Sequence, residues 1–79
     1  MSLSSEFISA LEVIAMFDLG NPQQGIKVHH DAAPERIAAT KRLYDLGMIT
    51  LADGGYLTVR GQETAELAAT LINLLEVKH

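Results

Sequence analysis

The densest run of side chains able to hold a metal or move a proton is His29-His30-Asp31. A metal site needs three or more ligands converging on one point. Successive residues of an extended chain point to opposite faces, so His29 and His30 diverge. The third histidine, His79, stands at the other end of the sequence. No metal is expected there. The chain has no cysteine, which removes disulfides, thiolate zinc sites and a thiol nucleophile together. Ser2, Ser4, Ser5 and Ser9 crowd the start of the first apolar segment, where helix capping accounts for serine. No glycine-rich phosphate loop and no His-Glu-x-x-His pattern occurs. The expectation is a protein that is not an enzyme and carries no cofactor.

Two other groups of residues carry the functional expectations. Lys27, Arg36, Lys41, Arg42 and Arg60 are the cations available for phosphate contact. Between positions 27 and 60 they meet four acids and leave a local charge of +1, whereas the flanks carry −5 of the total −4. An overall negative charge works against broad attraction to nucleic acid, so DNA is possible but disfavoured. The second group is an apolar surplus on the first and last helices. Val13, Met16, Leu67, Leu71 and Leu74 are its expected self-association residues.

These residues must be positioned by short elements. Ser4 caps the first helix, with Leu3 and Ile8 at the two positions of a hydrophobic staple. Phe7, Ile8, Leu11, Ile14 and Ala15 recur at helical spacing through Asp18. Val13 and Met16 fall beside that stripe, which makes the apolar arc wide. Breakers from Leu19 to Gly25 form a loop, and Ile26 to His30 alternates as a short strand. Pro34 opens the second helix, whose apolar half holds Ile37, Ala39, Thr40, Leu43, Tyr44 and Leu46. Gly47 stops it as a left-handed cap residue. Two strands follow, joined by a turn at Asp53-Gly54-Gly55 that demands positive φ. Thr58 then caps a last helix from about Val59 to Glu76.

Seventy-nine residues with 48% apolar and 20% charged composition make one small globular domain spanning 1–79. No apolar run reaches the roughly 18 residues of a membrane span. The amino-terminal residues lack the basic start of a secretory signal. A cytoplasmic protein without membrane contact is expected.

From Ile37 to Leu71 the order of helix, strand, tight turn, strand and helix resembles the back half of a winged-helix domain. The segment Gly55-Tyr56-Leu57-Thr58-Val59-Arg60-Gly61 carries the resemblance most strongly. In that family Leu-Thr-x-x-Gly joins the last strand to the closing helix. The resemblance implies that Glu35 to Leu46 occupies the recognition-helix position and Ala52 to Gly55 the wing. Only His30 to Ala33 separate the first strand from the second helix, so the helix that braces the recognition helix in the family has no counterpart. Asp53 also stands in the wing, where a carboxylate repels phosphate. Gln24-Gly25-Ile26-Lys27-Val28-His29 and Asp53-Gly54-Gly55-Tyr56-Leu57-Thr58 further resemble a family of short, uncharacterised bacterial proteins of unknown function.

The expected fold is α+β, three helices with a small two- or three-stranded antiparallel sheet, truncated relative to a winged helix. The expected role is a non-enzymatic protein-interaction module, homodimeric through its first and last helices. The alternative is a small DNA-binding regulator.

Overall fold

The computed structural model describes residues 3–76. The elements run α1 (Ser5–Ile14), β1 (Ile26–Lys27), α2 (Pro34–Asp45), β2 (Ile49–Leu51), β3 (Gly54–Leu57) and α3 (Val59–Leu75). Three helices and a three-stranded antiparallel sheet form the expected α+β arrangement. The strand order is β1-β3-β2, so the last strand is central.

The Ser4 hydroxyl accepts from the Phe7 N–H at 3.1 Å and starts α1. Leu3 and Ile8, the two staple positions, are both exposed. The helix ends at Ile14, earlier than the periodicity to Asp18 suggests. Met16 and Phe17 donate to Val13 and Ile14, three residues back, and the Asp18 carboxylate accepts from the Gly20 N–H. This tightened tail turns Phe17 into the core, where it is buried.

The core is built by Val13, Ile14, Phe17, Ala39, Leu43, Ile49, Ala65 and Ala68. Val13 is only 1% exposed, so it cannot serve a surface for self-association. The reason is rotation. The inward row on α1 is Ala10, Val13 and Ile14, continued past its end by Phe17, while Phe7 and Ile8 stay exposed. Thr40, the one buried polar residue of the core region, donates to the Arg36 carbonyl at 2.7 Å.

β1 is two residues long rather than five. Its alternation holds past its end, since Val28 is buried while Lys27 and His29 are exposed. In the β2–β3 hairpin the pairs Ile49↔Leu57 and Leu51↔Gly54 differ by a one-residue slip, which is a bulge. Asp53 keeps an ordinary φ, and the positive values fall on Gly54 (+133°) and Gly55 (+77°) just after the turn. A Cβ on Gly54 would collide with the Ile26 carbonyl, so β3 needs glycine to pass beside β1.

The junction between α2 and α3 forms as the sequence predicts. Gly47 has φ +77° and ends α2. The Thr58 hydroxyl accepts from the Gly61 N–H at 3.0 Å and donates to the Gly47 carbonyl at 2.6 Å. The Thr58 N–H donates to the Met48 carbonyl at 3.0 Å. That carbonyl lies against Gly61 so closely that a Cβ there would overlap it. One threonine and two glycines therefore fix the end of α2, the start of β2 and the start of α3 relative to one another.

Candidate functional site

α3 carries two apolar faces of opposite character. The inward row is Gly61, Ala65 and Ala68, extended by half-buried Ile72. These are small residues, and they let the helix sit close to the core. The large residues face water: Leu67 is 73%, Leu71 47%, Leu74 68% and Leu75 77% exposed. The leucine row lies roughly a third of a turn around the helix from the alanine row at 3.6 residues per turn. Nothing in α3 beyond Ala68 is fully buried, and only Ala69 and Ile72 are half-buried there, so its last two turns form a mostly exposed apolar arm.

Leu67, Leu71 and Leu74, three of the residues expected to self-associate, are exposed on one side of one helix. Met16 is also exposed, beyond the end of α1. Val13 is removed from the group by its burial. Leu75, Phe7 and Ile8 belong to the same apolar surplus, though not to the expected self-association residues, and are exposed as well. The signal for Leu75 was available: alanine at positions 65, 68 and 69 marks the near side of the helix and turns the leucines outward.

The five cations are all exposed, but they do not form one stripe. Lys41 and Arg42 share a shallow groove on the outer side of α2 with Asp45 and Leu46. Arg42 also borders a groove of ≈ 440 Å³ between the first turns of α1 and α2, rimmed by Glu6 and Glu35. Lys27 lies in a separate groove with His29, His30 and Asp53, floored by Ile37 and Thr40 of α2. Arg36 sits in the first turn of α2 and Arg60 in the first turn of α3. Acidic side chains accompany Lys27, Lys41 and Arg42, so each local positive potential is partly cancelled.

His29 and His30 are exposed, and the His29 carbonyl accepts from the Ala32 N–H as the chain turns toward α2. Among the described residues, no three His, Asp or Glu side chains gather as a metal would require. His79, the third histidine, and Ser2 lie outside the described residues. No helix among the described residues is long and apolar enough to cross a membrane.

The chain belongs to a family of unknown function, DUF5669, which it matches over residues 1–76. No curated protein matches it significantly, and neither does any solved structure. Family membership agrees with the resemblance to short uncharacterised proteins drawn from the strand and hairpin motifs.

Proposed function

We propose that this member of DUF5669 is a non-enzymatic interaction module that pairs with a second copy of itself through α3. The observation that carries the reading is the outward leucine row Leu67, Leu71, Leu74 and Leu75. A helix of 17 residues gains little stability from propensity alone and depends on packing of its apolar face. Here the projecting half exposes its largest side chains, a pattern that marks contact surfaces. A two-fold pair is the simplest assembly that covers such a face on every copy.

Magnitudes favour a weak dimer. Burying the exposed part of each leucine is worth about 1–2 kcal/mol, so eight of them offer on the order of 10 kcal/mol. Association costs about 4–15 kcal/mol, which leaves a complex that dissociates on dilution. Exposed Phe7, Ile8 and Met16 are the reserves from which a tighter contact would draw. Sedimentation velocity from low micromolar to near-millimolar concentration tests the reading. A concentration-dependent shift toward twice the monomer mass is expected, and Leu71→Asp should abolish it with the circular dichroism spectrum unchanged. A single monomeric species at every concentration would overturn it.

A DNA-binding regulator is the second reading, supported by the strand order and by Lys41 and Arg42 on the outer side of α2. A central β3 followed by a threonine-capped α3 is the arrangement expected of a winged helix shortened by one helix. Duplex DNA of random sequence at ~50 and ~200 mM salt is the test, because phosphate contacts lose affinity steeply over that range. Binding weakened by the double change Lys41→Ala and Arg42→Ala would support it. No binding at the lower salt would reject it.

A further inference from the structure

We infer that the two copies meet with their α3 helices antiparallel, Leu67 of one opposite Leu71 of the other. This rests on the self-association reading above and specifies its geometry. Thr64, Leu67, Leu71 and Leu74 are spaced three, four and three residues apart, the spacing of a seam between two packed helices. Such a seam admits both directions, and the charges choose between them. Arg60, Glu63 and Glu66 all lie in the first half of α3, whereas 67–75 holds no charged residue. Arg60, four residues before Thr64, continues the same row, so a parallel pair would set each Arg60 against its own counterpart, where like charges oppose each other. An antiparallel pair separates the two Arg60 side chains along the helix axis.

Burial follows the same division. The half anchored to the core ends at Ala68, and the projecting arm begins there. With the two-fold axis near residue 69, each arm lies along the anchored half of the other α3. A parallel pair would leave both arms projecting together from one end. Antiparallel order also opposes the two helix dipoles.

The absence of cysteine makes the geometry readable by disulfide trapping. Thr64→Cys and Leu74→Cys are prepared separately, then oxidised mildly, each alone and as an equimolar mixture. At about 1.5 Å per residue, each position lies roughly 15 Å from its own counterpart in the antiparallel pair. A disulfide needs Cα atoms within about 7 Å. Crosslinks between Thr64→Cys and Leu74→Cys in the mixture, with neither variant crosslinking to itself, are expected. Self-crosslinking of Thr64→Cys would establish parallel helices and overturn the inference while keeping the dimer. A dimer by sedimentation with no crosslink in any sample would place the contact elsewhere and overturn it too. Monomeric sedimentation of the unsubstituted chain together with no crosslink would remove the self-association reading itself.

Discussion

The two halves of the polypeptide that follow α2 are built on opposite terms. From Gly47 to Gly61 the residues at the junction answer to partners inside the molecule, although Leu51, Tyr56 and Val59 are exposed. Thr58 uses its hydroxyl as donor and acceptor, Gly61 touches the Met48 carbonyl, and Ile49 is buried in the core. From Leu67 to Leu75 only Ala68 is buried, and the bulky side chains turn away from the molecule. The first segment holds the fold together by close approach; the second touches the core through small residues and exposes its leucines, which is the basis of the self-association proposed above.

This contrast is open to direct attack. The largest effect is expected at Gly61→Ala, because the colliding atom is a backbone carbonyl that cannot rotate away. A cost of about 3 kcal/mol or more follows, out of a total of about 4–12 kcal/mol for a chain of this size. Thermal unfolding should shift down by at least about 12 °C, and an unchanged midpoint would show that the sheet and α3 are not so tightly apposed. Thr58→Ala removes a helix cap and the donor to Gly47, and should cost about 1–2 kcal/mol by urea unfolding. Amide exchange at dilute concentration should then divide α3, with slow exchange around 65–68 and faster exchange over 71–75, the faster half slowing as concentration rises. Uniform protection along α3 would erase the contrast. The smallest effect on stability is expected at Leu74→Ser, within about 0.5 kcal/mol for the dilute monomer. That same substitution should nonetheless weaken self-association, and a large loss of monomer stability would assign Leu74 to the fold after all.

What could be seen in the amino-acid sequence divides along related lines. Gly47 and Thr58 were legible because their signals are local: a left-handed stop and a side-chain cap depend on a few adjacent residues, whereas the approach of Gly61 to the Met48 carbonyl spans thirteen residues. The rotation of α1 was not. Phe7, Ile8, Leu11, Val13, Ile14 and Met16 populate so much of the helix that periodicity admits several inward faces. The choice was made by the tightened turn after Ile14, which carries Phe17 inward and Val13 with it. The five-residue strand expected at Ile26 shortened to two because the chain turns at His29–Ala32 toward α2. The leucine face was visible in outline at Leu67, Leu71 and Leu74. The cations were visible one by one, but their scatter over separate grooves belongs to tertiary structure.

The Thr58 side chain has a mechanical meaning beyond its contribution to stability. One oxygen atom serves a backbone group just past the end of α2 and another in the first turn of α3, so a single χ1 rotation releases Gly47 and Gly61 in the same event. The close of α2 and the opening of α3 are therefore spliced at one atom.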